Sequence, residues 1–312
     1  MSDLENTFSW SVSRHKIFKE CRRAYYYRHY GSWGGWKKNA PSQTREAYIL
    51  KLLNNRFTLA GRIVHEVVAD TLNRHRYGRE VGVDEAKAAG LEMLRNGFRE
   101  SRDGKHREDP KNQVGLFEHE YQENIADREW QRIRDRIFVC IDHFFSSKIR
   151  SAILGTQIEN WLPVDSLDSF NFEETKVYVA PDFVLRNPQG NALLIDWKTG
   201  RPEARGDRTQ IVCYGLFARD KWGVSPVRAI GELHYLLSGD VDIVTLDEST
   251  LEKGKSHIRD SIREMLDILV DVKTNRAEID SFPKTDNRTT CSRCNFRGLC
   301  WPDWPDTEPA SI

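Results

Sequence analysis

Residues 174–200 read ETKVYVAPDFVLRNPQGNALLIDWKTG, and this stretch decides the fold. β-Branched and aromatic residues fill 174–186, Asn187-Pro-Gln-Gly190 is a turn signal, and 192–197 is a second apolar run. The pattern predicts two hairpin-connected strands, with Asp182 ending or interrupting the first and Asp196 ending the second. Such a hairpin brings both carboxylates to one end of a sheet. With the main-chain carbonyl of Trp197 between Asp196 and Lys198, they form an oxygen-rich site of the kind Mg²⁺ or Mn²⁺ prefers. Lys198 lies two residues beyond Asp196 and therefore on the same strand face. Its ammonium can orient an attacking water or offset charge on a phosphodiester. Taken alone, Asp-x-Lys at a strand end reads more simply as an exposed salt-bridging edge. The surrounding chain decides between the two.

Downstream, 209–222 reads as a helix, 227–238 as a strand, 241–246 as a strand able to pair with it, and Leu251, Ile258, Ile262, Leu266 and Leu269 as a long helix. The core order is strand, strand, helix, strand. Upstream, 9–30 reads as one helix containing Cys21, and 32–41 as a Gly- and Trp-bearing loop. Leu59, Ile63, Val67 and Leu72 recur at helical spacing and put His65 within a helix. Asp84 is expected to cap another helix, 101–124 to be a charged surface loop or mobile segment, and Ile133, Ile137, Ile141 and Phe144 to mark a further helix. The expected class is α/β, a mixed central sheet flanked by helices with an N-terminal helical region. The segments divide as 1–58, 59–155, 156–280 and 281–312.

Composition excludes several classes. Among 312 residues, 47 Lys and Arg balance 47 Asp and Glu, which argues against indiscriminate polyanion coating but leaves room for one local basic groove. Hydrophobic residues at 39% support a folded core. The opening MSDLENTFSW lacks the basic and apolar regions of a secretory signal, and no run approaches a membrane span. The expectation is a cytoplasmic protein with no membrane partner. Gly254-Lys-Ser256 ends like a phosphate-binding loop, but Ser249 stands at the first glycine position, so a helicase motor would be a separate protein.

The Asp196-Trp-Lys-Thr-Gly200 run, with Asp182 on the preceding strand, resembles the active-site signature of the RecB-like PD-(D/E)XK nucleases. Gln210 and Tyr214 match that family's Q-x-x-x-Y spacing on the following helix, where i and i+4 share a face. Gly61-Arg-Ile-Val-His65 looks like its G-x-x-x-H segment. The resemblance implies the PD-(D/E)XK nuclease fold, with His65, Asp182, Asp196 and the Trp197 carbonyl around Mg²⁺ or Mn²⁺. It makes Lys198, Gln210 and Tyr214 members of the catalytic set. It further implies a deoxyribonuclease, exonuclease rather than endonuclease, acting on single-stranded DNA or DNA ends. Repair, recombination, CRISPR adaptation and phage-related processing are its settings. The sequence departs from the family at Arg22, where proline often follows the first cysteine, and at Val179, where glycine often stands. Pro181 is unusual beside Asp182.

Cys291-Ser-Arg-Cys294 and Cys300 form C-x₂-C-x₅-C, three thiolates that need a fourth ligand. Zn²⁺ and an iron–sulfur cluster both suit four cysteines. Ser11-Val-Ser13, Phe18, Cys21 and Tyr25-Tyr-Tyr27 resemble the N-terminal segment of AddB-type nucleases and CRISPR-associated RecB-like exonucleases. That resemblance implies Cys21 as the fourth ligand and a 4Fe–4S cluster joining the two ends of the chain. Cys140 and Cys213 read as small buried residues. Arg22, Arg23 and Arg28 with their neighbouring tyrosines, and Arg201, Arg205 and Arg208 after the catalytic strand, are candidate DNA contacts. A catalytically silent iron–sulfur DNA-binding module remains the alternative; it has no use for Asp182, Asp196 and Lys198 together.

Overall fold

Five strands form the central sheet of the computed structural model, which describes residues 5–162, 167–187, 189–201 and 206–304. In chain order the strands are β1 (Trp161–Leu162), β2 (Asp168–Phe172), β3 (Thr175–Val179), β4 (Phe183–Arg186), β5 (Ala192–Lys198), β6 (Ala229–Tyr235) and β7 (Asp240–Thr245). The sheet order is β1-β4-β5-β6-β7, while β2 and β3 form a separate hairpin. β4 and β5 are antiparallel with Phe183 opposite Ile195, and β5 and β6 are parallel with Asp196 opposite Leu233. The parallel pair requires a crossover, which α10 (Gly206–Trp222) supplies. The expected mixed sheet and core order are therefore present. Of the turn residues, Pro188 lies outside the described residues.

The preceding helices are α1 (Val12–Glu20), α2 (Arg22–Tyr26), α3 (Ser42–Lys51), α4 (Arg56–Arg76), α5 (Val83–Arg102), α6 (Lys105–Glu108), α7 (Phe117–Glu120), α8 (Asp127–Ser146) and α9 (Lys148–Leu154). α11 (Glu248–Asp267), α12 (Arg288–Ser292) and α13 (Arg297–Cys300) follow the sheet. α4, α5 and α8 pack against one another. The Phe144 ring of α8 meets Trp197 of β5 edge-on, with centroids 5.5 Å apart. α10 packs against β5, β6 and the β2–β3 hairpin, and α11 packs against α10. One continuous apolar core runs from Trp10 through all of these layers to Phe282. No helix among the described residues is long and apolar enough to cross a membrane.

Several local expectations are corrected. The helix expected over 9–30 is broken at Cys21, whose extended backbone (φ −159°, ψ 114°) ends α1 and begins α2. Residues 27–31 then form a turn of π-helix. The single strand expected over 174–186 is two strands in different sheets, separated at Ala180-Pro-Asp182. α5 is capped at Gly82 without a side chain, and Asp84 sits in its first turn, where a carboxylate still complements the helix dipole.

The charged segment 101–124 is not a surface loop. It contains α6 and α7 and buries Leu116 and Phe117. Its charges are paired on site: the buried Glu118 carboxylate accepts from the Arg56 backbone N–H at 2.9 Å and its guanidinium at 3.1 Å. Gly254 lies inside α11 against α10, where a Cβ would come within 2.5 Å of Val212. A helix interior at such close approach is packing, not a phosphate-binding loop.

Candidate active site

Asp182 and Asp196 meet because β4 and β5 pair in this register and the chain enters β4 directly from Asp182. The Trp197 backbone N–H donates to Asp182 Oδ2 at 2.8 Å. A strand residue projects its N–H and C=O to the same side, so the Trp197 carbonyl opens on the Asp182 side as well. Asp196 projects to the opposite side of the strand backbone from its neighbour and is 2% exposed.

α10 completes the centre. Lys198 Nζ lies 2.8 Å from Asp196 Oδ2 and donates to Gln210 Oε1 at 2.7 Å. Gln210 Nε2 donates to the Tyr214 hydroxyl. That hydroxyl stands 2.9 Å from both Asp196 Oδ1 and Ala180 O, and its one proton serves one of them at a time. Lys198, Gln210, Tyr214 and Asp196 thus close a ring of polar contacts. The i, i+4 spacing of Gln210 and Tyr214 is what lets one helix supply two members.

α4 brings the histidine. Asn55 caps the helix by accepting from the Phe57 and Thr58 backbone N–H groups at 3.0 and 2.8 Å. Two turns on, Gly61 passes so close to the end of β5 that a Cβ would stand 2.9 Å from Thr199 Oγ1. One further turn places His65 Nδ1 2.9 Å from Asp182 Oδ1. A side chain at position 61 would require the Thr199 hydroxyl to shift, so glycine gives the closest approach of helix to strand end at this point of the G-x-x-x-H spacing.

The electrostatics follow from setting the buried Asp196 beside a second, half-buried carboxylate. Burial, then repulsion from Asp182, pushes Asp196 up to about 6, partly offset by Lys198 and Tyr214. Burial alone would lower His65, but the charge and hydrogen bond of Asp182, helped by Asp196, outweigh it and the net shift is upward. Burial followed by the same two carboxylates drives Tyr214 upward. The cluster carries more negative charge than its one lysine comfortably offsets, and its donors are hard oxygens and an imidazole. That donor set fits a divalent cation. Among the described residues no three His, Cys, Asp or Glu side chains stand in a ligating arrangement. His65 and Tyr214 are instead turned onto the carboxylates, and those contacts would open to admit a cation.

The four end cysteines also come together. Cys21, Cys291, Cys294 and Cys300 line one small cavity with Lys284, Arg297 and Trp301 among its walls. The two ends of the chain are joined around it: Tyr27 stacks on Phe296 at 5.5 Å, and the Arg23 guanidinium donates to Phe282 O at 2.7 Å. Burial, then proximity to the other cysteines, pushes the Cys294 thiol up to about 12 and Cys300 to about 11. Cys291 is pushed upward as well, chiefly by burial, and thiols held protonated in this way become good ligands only with a cationic centre among them. Cys140 and Cys213 are buried elsewhere in the core.

The expected DNA contacts fare differently. Arg22 pairs with Glu264 at 2.9 Å, Arg23 and Arg28 hold main-chain carbonyls, and Tyr25 is buried, so this group is structural. Arg208 pairs with Asp242 at 3.2 Å, Arg201 is exposed, and Arg205 lies outside the described residues. Arg136 was not legible as a site residue. Its guanidinium donates to Thr199 O beside Lys198, across a sequence gap no local pattern bridges. A separate cavity of about 510 Å³ opens around Leu193, Arg228 and Ile230, at the other end of β5. Its walls carry no carboxylate, imidazole or thiol, so the hydrolytic chemistry is not built there.

A carboxylate pair with a lysine at one end of a helix-flanked mixed sheet defines the class of metal-dependent nucleases. The chain belongs to the PD-(D/E)XK nuclease superfamily, whose sequence model matches residues 9–301. No curated protein matches it. Among solved structures, the crystal structure of SSO0001 is similar at 18% identity and a TM-score of 0.28, covering 61% of this chain and 80% of that one. A likeness that slight carries no argument.

Proposed function

We propose that this protein is a RecB-like, divalent-metal-dependent deoxyribonuclease acting on single-stranded DNA or on DNA with free ends. The observation that carries the reading is the convergence of Asp182, Asp196 and Lys198, tied to α10 by Gln210 and Tyr214. Asp182, Asp196, His65 and the Trp197 carbonyl would hold Mg²⁺ or Mn²⁺. Bound there, the cation supplies Lewis-acid polarisation of the phosphodiester and makes hydroxide accessible near neutral pH. Lys198 orients the attacking water and offsets charge gathering on the phosphate oxygens. Gln210 fixes the lysine, and Tyr214 fixes Asp196.

The chain lacks a motor motif, so exonucleolytic trimming of strands opened by a separate helicase or other DNA-processing protein fits it best. Repair, recombination, CRISPR adaptation or phage-related processing would supply such strands. The four-cysteine cavity is proposed to hold a 4Fe–4S cluster in the reducing cytoplasm, with Zn²⁺ as the rival occupant.

The test is cleavage of end-labelled linear and circular single-stranded DNA by anaerobically purified protein with Mn²⁺ or Mg²⁺. Cleavage of the linear substrate that stops with chelator and in Asp196→Ala supports the reading. Cleavage of the circle moves it to an endonuclease. Wild-type rates in Asp196→Ala under excess chelator overturn it, and binding without any cleavage points to the silent module.

A further inference from the structure

Phe57, Gly61 and His65 lie at i, i+4 and i+8 of α4 and so share one stripe of the helix. His65 touches Asp182, and Gly61 touches the end of β5. Phe57 continues the stripe outward, and its side chain is 49% exposed. The guanidinium carbon of Arg56 lies 4.6 Å from its ring centroid and that of Arg136 5.9 Å. Arg136 also holds Thr199 O, the carbonyl directly after Lys198. A half-exposed aromatic ring contacted by two guanidinium groups therefore stands on the helix that carries His65, about 12 Å along its axis.

Beyond these two contacts, neither the cap nor the buried face of α4 needs a phenyl group there. The Asn55 cap uses the backbone N–H of position 57, which any residue but proline provides. The buried side of the helix is filled by Leu59, Ala60, Ile63, Val64 and Val67. Burying Phe57 would be favourable, yet the fold leaves half of it in solvent.

We infer that Phe57 is a base-stacking platform, a positioning residue that holds a nucleobase of the bound single strand while Arg136 attracts the backbone beside it; Arg56 is committed to Glu118. The assignment rests on the nucleic-acid substrate proposed above. The chemistry is that of sequence-tolerant strand binding, in which an aromatic face meets any base and guanidinium groups meet phosphate. A single strand spans 12 Å in a few nucleotides. A base stacked on Phe57 would thus register a nearby phosphodiester over Asp182 and Asp196.

The experiment uses full-length protein and oligothymidylate carrying 2-aminopurine at successive positions, with Ca²⁺ in place of Mg²⁺ to slow turnover. Wild-type protein is expected to quench one position selectively. Phe57→Ala should weaken binding about tenfold and abolish the quench, and Phe57→Trp should restore both. In cleavage assays Phe57→Ala should raise KM about tenfold with less than a twofold change in kcat. Tyr77→Ala, at the opposite end of α4 and 75% exposed, is the control and should change none of these. Unchanged affinity and quenching in Phe57→Ala, or no single-strand binding by wild type, overturns the inference. Phe57-dependent binding without cleavage would instead sink the nuclease reading and leave the stacking platform standing.

Discussion

Asp182 is held by the backbone of the strand that carries Asp196: the Trp197 N–H donates to its carboxylate at 2.8 Å. The two acids are thereby fixed relative to each other by main chain, not by side-chain packing. The cost is a buried carboxylate beside a second one, and the fold retains it. Retaining such a group against its own stability is what a site shaped for a cation does.

Asp196→Asn tests that trade directly. It keeps the shape and the Tyr214 contact while removing a buried charge and its repulsion with Asp182. Cleavage should fall by at least ~10³-fold, in line with losing a group that binds the catalytic ion. In chelator-treated protein the same change should leave stability unchanged or raise it by about 1–3 kcal/mol. Paired activity and denaturant-melting measurements check it. A variant that is both active and less stable would show Asp196 to be structural.

Tyr214→Phe should act on geometry. Its hydroxyl joins Asp196, Ala180 O and Gln210, with the Asp196 contact buried and the other two partly so. Removing it leaves buried acceptors short of a donor, a loss of about 1–3 kcal/mol in stability. Turnover should drop roughly tenfold, less than for Asp196, and Gln210→Ala should do the same by releasing Lys198. Steady-state rates beside urea melts separate the two effects. Unchanged rates in both variants would make the Gln210–Tyr214 spacing coincidental to catalysis.

The parts of this site that were legible from sequence are those whose geometry is local. Asp196 and Lys198 share a strand face, Gln210 and Tyr214 a helix face, and the Asn187–Gly190 turn sets the hairpin. What was hidden depends on distant partners. Residues 101–124 look like a solvated loop because Glu118, His106 and Glu120 are charged or polar, yet Arg56 and Arg107 neutralise the two acids in place. The break at Cys21 runs against a helical pattern and leaves the cysteine on a cavity lined by three others from the far end of the chain. Trp161–Leu162 is too short to show a period at all, and it becomes a strand only by pairing with β4.

The cysteine site gives the third prediction. Anaerobic protein should be brown with about four irons per chain. Cys291→Ala should lose the colour and render residues before Cys21 and after Phe282 protease-sensitive, because the cross-link between the ends is gone. Cys140→Ala and Cys213→Ala should keep the iron, since both side chains lie in the core away from the cavity. Metal analysis decides the occupant: stoichiometric zinc without iron would replace the cluster with a zinc site, and no metal at all would remove the ligand assignment.

The last prediction concerns pH and the seam between α1 and α11. His15 Nδ1 bonds Ser261 Oγ at 2.6 Å, and its ring meets His257 edge-on at 4.7 Å. Burial, then the neighbouring His257 and Lys19, lowers its pKa to about 4, with Glu264 pulling weakly the other way. Because the folded value lies below the ordinary 6.5, the unfolded chain binds more protons between these values. The contribution to stability is therefore fully present above about pH 6.5 and is lost as pH falls toward 4. Urea midpoints measured from pH 7.5 down to 4.5 should decline, and His15→Gln, which keeps a polar partner for Ser261 but cannot titrate, should flatten that decline. His15 is half-buried, so solvent screening tempers the size of the effect but not its sign. Equal pH slopes in wild type and His15→Gln would mean the seam is held by the Trp10 Nε1–H donating to Ser261 Oγ and not by a neutral imidazole.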